Sequence, residues 1–199
     1  MIRRRAGAAR RTTAALVAGA IAFGLWTPGL RVAQASVVRP VSFEALVELA
    51  TEVVVGDPVE RTCVWEDGRI VTYTRVEVRD SIAGARGDSV WVRTLGGEVG
   101  ELGQRVDGEA SLEIGKPTLL FLERLPTGTF AVTARAQGQF FIDRRPSGSQ
   151  LRPHPAMGVF FVKGPHDLVR PAADRLRARP VEDALRDIRA RWGASHAKR

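Results

Sequence analysis

Three histidines, one cysteine and one glycine-rich stretch hold most of the residues that could do chemistry in this sequence. Metal binding or general-base catalysis would start from His154, His166 and His196. Their settings argue against it: His154 stands between Pro153 and Pro155, His166 follows Pro165, and His196 lies near the chain end. None belongs to an H-x-x-x-H or HExxH spacing, which would set two imidazoles on one helix face. Solvated loop histidines are expected, with no metal site and no cofactor. Cys63, in Thr62-Cys63-Val64-Trp65, is the single cysteine, so no internal disulfide can form. Its strand-like surroundings predict a small buried residue, with a thiol linking two chains as the alternative.

The stretch from Gly96 to Gly108 is glycine-rich without being a phosphate cradle. A Walker loop ends in G-K-[ST], and Gly115-Lys116-Pro117 departs from that in both position and residue. Glu98 and Glu101 also place negative charge where a phosphate would sit. The expectation is a long, ordered loop across one end of a barrel. Its candidate partner-binding residues are Gly96, Gly97, Glu98, Gly100, Glu101, Gln104 and Arg105, because small barrels bind through a sheet face and its flanking loops. Arg86-Gly87-Asp88 spells an adhesion tripeptide, but the backbone needs of a turn already account for Gly and Asp there. No serine stands in G-x-S-x-G, and no catalytic constellation emerges. Trp65, Trp91, Trp192 and Tyr73 are expected in the core, with an aromatic platform on an exposed sheet face as the alternative.

The elements that must position these residues are short. Phe43, Leu46, Val47 and Ala50 recur at i, i+3, i+4 and i+7, predicting a helix capped by Ser42. From Glu52 the character turns to β, with Gly56 and Pro58 marking a bulge or bend. Asp67-Gly68 predicts a hairpin between Thr62–Glu66 and Arg69–Arg79. Ser89–Thr94 follows a turn at 83–88. Pro117 to Glu123 is the most hydrophobic strand and is expected to be buried on both faces. Phe130–Ala136 follows, with Gln139–Ile142 as its continuation past Gly138. A polar loop from Asp143 to Pro155 precedes a last strand, Met157–Lys163. An amphipathic helix, Val181 to Trp192, ends at Gly193. The fold expected is mainly β: a small antiparallel OB-like barrel of about six or seven strands between two helices.

The first 35 residues read as a secretory signal peptide. Arg3, Arg4, Arg5, Arg10 and Arg11 supply the basic start, Ala14 to Trp26 the uncharged stretch, and Ala33-Gln34-Ala35 a small-residue cleavage site before Ser36. An uncleaved anchor is the competing reading, since Thr12 to Leu30 carries no charge. The expected location is periplasmic or secreted. The leader also explains the formal charge of +8. It holds six of the 30 basic residues and no acidic one, leaving 24 basic against 22 acidic afterwards. No concentrated basic face remains of the kind a nucleic-acid partner requires. The rest divides into a barrel segment, 36–164, and a C-terminal helix with a basic tail, 165–199.

Leu49-Ala50-Thr51-Glu52-Val53-Val54-Val55-Gly56, Ile82-Ala83-Gly84, Thr94-Leu95-Gly96-Gly97 and Gly115-Lys116-Pro117-Thr118-Leu119-Leu120-Phe121-Leu122 follow one another in a recognisable order. That order resembles a group of uncharacterised exported bacterial β-barrel proteins, over about residues 49–142. It is more distantly similar to netrin-like and tissue-inhibitor-of-metalloproteinase-like modules, which are OB-type barrels. The resemblance implies a fold and a binding role. In the metalloproteinase inhibitors an N-terminal cysteine binds the protease zinc; Ser36 stands at the expected first position here, so that mechanism does not carry over. The functional expectation is a non-enzymatic exported module that binds a protein or envelope component. A protease inhibitor or companion of a secreted metalloprotease, and a small hydrolase, are the alternatives.

Overall fold

A computed structural model describes residues 39–84, 87–155 and 169–197, all within the unit Ser36–Arg199. The expected leader, Ser36, Arg86, the strand expected at Met157–Lys163 and His166 lie outside the described residues.

Helix α1 (Phe43–Leu49) begins where Ser42 Oγ accepts the Ala45 N–H at 3.1 Å, and it buries Phe43, Leu46 and Val47. Strands β1 (Glu52–Glu66) and β2 (Arg69–Ala83) form a long hairpin. Asp67 and Gly68 both adopt positive φ, which suits the right-handed twist of paired strands. The β1 register shifts at Val55/Gly56 and Pro58/Glu60, where the expected bulge bends the strand. At Gly56 a side chain would strike the Glu77 carbonyl and Val76 of β2, so only glycine lets the strands approach there.

Strand β3 (Ser89–Leu95) pairs with β2, and β6 (Thr118–Arg124) pairs with β1. Strand β7 (Phe130–Val132) joins β6 antiparallel and β3 parallel. The ring β1-β2-β3-β7-β6 thereby closes as a five-stranded barrel, and the fold is mainly β as expected. It departs from a purely antiparallel barrel only at β3–β7. Past β7 a 3₁₀ turn (Arg135–Gly138) interrupts the chain before β8 (Gln139–Asp143) resumes along β6, and β9 (Gln150–Pro153) is added to β8. The continuation past Gly138 is therefore present but broken by a helical turn. The polar loop expected from Asp143 to Pro155 contains β9.

The strand at Thr118–Arg124 is buried on both faces because it serves two cores. Leu120 and Leu122 point into the barrel with Val54, Val76, Val92 and Phe130. Leu119 and Phe121 face outward beneath α1 and the C-terminal helices. Those helices are α2 (Ala172–Leu176) and α3 (Val181–His196), which add Leu176, Leu185 and Ile188 to the same outer core. Helices α2 and α3 thus share the barrel's packing. Helix α3 runs past Gly193, the expected stop. In this extra turn the Ser195 hydroxyl bonds back onto the carbonyls of Arg191 and Trp192, at 3.0 and 3.2 Å.

Candidate functional site

The connection between β3 and β6 is where the barrel's chemistry collects. It opens with a small hairpin, β4 (Gly97–Val99) and β5 (Leu102–Gln104), where the sequence predicted a loop. Three hydrogen bonds fix this hairpin to β2. The Gly96 N–H donates to the Ile70 carbonyl at 2.8 Å, the Ile70 N–H to Gln104 Oε1 at 2.6 Å, and Thr72 Oγ1 to the Gly96 carbonyl at 2.6 Å. Gly97 lies flat on β2 with φ +133°; a side chain there would meet Thr72 Oγ1 and, at 2.8 Å, Cys63 Sγ. The glycine is required by both conformation and space.

After the hairpin, Ala110 and Leu112 turn into the barrel interior, both only 4% exposed. The residue between them, Ser111, consequently faces out. Its backbone is gripped from both sides by the fully buried Gln139: Ser111 N–H donates to Oε1 at 3.0 Å, and Nε2 donates to the Ser111 carbonyl at 2.8 Å. His154 closes the arrangement. Its N–H donates to the Gln139 carbonyl at 3.2 Å, its Nε2 lies 2.8 Å from Ser111 Oγ, and its ring stacks on Phe141. Serine, glutamine and histidine from three segments form one hydrogen-bonded ring.

Ser111 and His154 of this ring line a cleft of about 470 Å³ at the barrel end, with Gln139 buried behind them. Thr72, Thr94, Gly96, Gly97 and Gln104 form one wall, and Arg61, Arg105, Glu109 and Glu113 bring two charges of each sign. Burial sets the protonation inside it. His154 is held below the ordinary histidine range chiefly by desolvation, opposed by the Glu113 charge and aided by that of Arg152, so it is neutral near pH 7. Glu109 is pushed up by burial, against the pull of the Arg135 guanidinium 3.9 Å away.

Of the candidate partner-binding residues, Gly96, Gly97, Gln104 and Arg105 line the cleft. Glu98, Gly100 and Glu101 are exposed in the hairpin and its turn and do not line it. Cys63 is half-buried, not a core residue, with Sγ 3.2 Å from Thr72 Oγ1. His154 corrects the expectation of a solvated loop histidine: it is 4% exposed. His196 stacks on Trp192 of α3. The aromatic residues do not assemble. Trp65 shares a strand face with Cys63, whereas Tyr73 and Trp91 sit on the opposite face of the β2–β3 ladder. There Tyr73 and Arg93 both bond Glu66, whose carboxyl is held low chiefly by the Arg93 hydrogen bond.

Sequence reasoning passed over Ser111, Glu109 and Gln139. The only local signal was Ala110-Ser111-Leu112, a polar residue between two apolar ones, which is too short to separate from chance. Among the described residues no three His, Cys, Asp or Glu side chains converge as a metal site would need, and no helix is long and apolar enough to cross a membrane. Comparison with protein-family models, with curated proteins and with solved structures returns no match in any of the three.

Proposed function

We propose that this chain is an exported binding module that takes a polar segment of a partner protein or envelope component in the barrel-end cleft. Export rests on the pattern of residues 1–35. The binding reading rests on one observation: the cleft's polar groups are held in place by bonds to one another. Gln139 fixes the Ser111 backbone, the three anchoring bonds fix the hairpin, and the rim offers donors and acceptors of both signs. Such a surface suits the alternating N–H and C=O groups of an extended peptide better than a ligand of one charge. The test is selection of peptides from a random library on the purified protein, followed by titration of the selected peptide. Arg61→Ala combined with Arg105→Ala should weaken that peptide about tenfold or more, while Glu101→Ala should leave it unchanged. Equal binding by all three proteins would sink the proposal.

A hydrolase is the second reading, favoured by the 2.8 Å contact between Ser111 Oγ and the buried, neutral His154. That distance is the one expected of a nucleophile and its base. It ranks second because the nearest backbone donors are already used: Ser111 N–H by Gln139 and Ala110 N–H by Glu109 Oε1 at 3.3 Å. An acyl-transfer site needs such donors free for the developing oxyanion. Incubation with a fluorophosphonate and measurement of intact mass decides between them. An adduct on Ser111 that disappears in Ser111→Ala would promote the hydrolase, and an unmodified chain removes it.

A further inference from the structure

A second concavity, of about 590 Å³, is built from the far end of the same connection together with β2, β8 and β9. Its charged lining is Arg79, Lys116, Arg144, Arg145 and Arg152 against Asp57 and Asp143. Two of the arginines are held in fixed orientations. Arg79 Nε bonds Asp57 Oδ2, whose side chain is mostly buried. Arg152 lies over the Phe141 ring, 4.8 Å from its centroid, with Nε bonded to both Asp143 oxygens at 3.0 and 3.3 Å. Both carboxylates are engaged through Nε alone, so the Nη ends make no hydrogen bond to a described residue. Arg144 and Arg145 are exposed and pair with no described carboxylate. Lys116 is paired with Glu113.

The rim that carries these groups is tied down by backbone bonds. The Gly115 N–H donates to the Pro58 carbonyl at 2.9 Å, and the Ile142 N–H to the Pro117 carbonyl at 3.1 Å. A guanidinium fixed in plane, with its outer donors free, loses little freedom when it meets an anion, and its fork matches the oxygens of a phosphate. The surplus of positive charge over the two lining carboxylates calls for a ligand with at least two negative charges. A monocarboxylate leaves that surplus standing.

The geometry points to this concavity as a binding site for a phosphomonoester or diphosphate group. It is separate from the barrel-end cleft and does not depend on the function proposed for it. A soluble phosphate ester and a phosphate-bearing lipid headgroup offer the same chemistry. The probes are inorganic pyrophosphate, followed by calorimetry, and vesicles of phosphatidylcholine with or without phosphatidic acid, followed by sedimentation. Citrate serves as the carboxylate control. The full chain is compared with Arg144→Glu/Arg145→Glu and with Arg177→Glu, an exposed arginine at the end of α2.

Saturable binding of either phosphate probe is expected, weakened about tenfold or more by the double charge reversal and unaltered by Arg177→Glu. Pyrophosphate binding without vesicle binding assigns the soluble source. Binding to the acidic vesicles without pyrophosphate assigns the headgroup. The proposal is overturned if neither probe binds saturably, if citrate binds as tightly as pyrophosphate, or if Arg177→Glu weakens binding as much as the double reversal does.

Discussion

The two concavities are built from one connection yet differ in how they hold polar groups. At the barrel-end cleft, Ser111, Gln139 and His154 bond each other, the buried histidine is neutral, and the rim carries charges of both signs. In the second concavity the polar groups are full charges, mostly arginines, oriented by aspartates and an aromatic ring. Glu113 lines the first and Lys116 the second, and the two are paired to each other. Neighbouring positions on one segment therefore face different chemistries. The difference teaches that burial and hydrogen bonding shape the first surface, while unbalanced charge shapes the second.

The comparison can be broken most sharply at Gln139. Gln139→Ala would leave the Ser111 N–H and C=O without their buried partners, at a cost of about 2–4 kcal/mol in stability. Urea denaturation measures this, and a loss under about 1 kcal/mol would mean the ring is not what holds the cleft lining. Gly97→Ala comes next. It forces a side chain into a positive-φ position against Thr72 and Cys63, costing about 1–3 kcal/mol and lifting the hairpin. Faster reaction of Cys63 with a thiol reagent in the variant would show the lift, and an unchanged rate would refute it.

Protonation separates the two regions further. The unfolded chain takes up a proton at His154 near pH 6.5, whereas the folded cleft resists it. His154 stabilises the neutral-pH fold relative to acid, and that contribution is lost as pH falls below about 6.5. Glu109 has the opposite sign: its folded carboxyl stays protonated to higher pH than the unfolded one, so its contribution grows toward acid. His154→Gln should flatten the decline of stability between about pH 6.5 and pH 5. A decline equal to that of the parent would assign it to other groups. The smallest effect is expected at the second concavity. Arg144→Glu/Arg145→Glu should change stability by less than about 0.5 kcal/mol, because both side chains are exposed and pair with no described carboxylate.

How much of this was legible in the sequence follows from how local each signal is. The cap at Ser42, the Asp67-Gly68 hairpin, the two-faced strand at 118–122 and the amphipathic face of α3 depend on near neighbours, and each was readable. Strands β4, β5 and β9 were not, because three or four residues such as Gly97-Glu98-Val99 carry no alternation to recognise. Gly193 was misread as a stop because nothing crowds it within the helix. The burial of His154 was invisible because its partner Ser111 is 43 residues away and its ring lies on Phe141. Glycines announce themselves by type, so Gly96 and Gly97 stood out as candidates, but a hydrogen-bonded ring of the exposed Ser111 with the buried Gln139 and His154 exists only after folding.

The separation of the two surfaces is tested most directly by titrating one preparation with both the library-selected peptide and inorganic pyrophosphate. Arg61→Ala/Arg105→Ala should weaken the peptide alone, and Arg144→Glu/Arg145→Glu should weaken pyrophosphate alone. Raising ionic strength from about 0.1 M to about 1 M should reduce pyrophosphate binding far more than peptide binding. If either pair of substitutions weakens both ligands equally, the two concavities are one charged surface, and the account given for them is wrong.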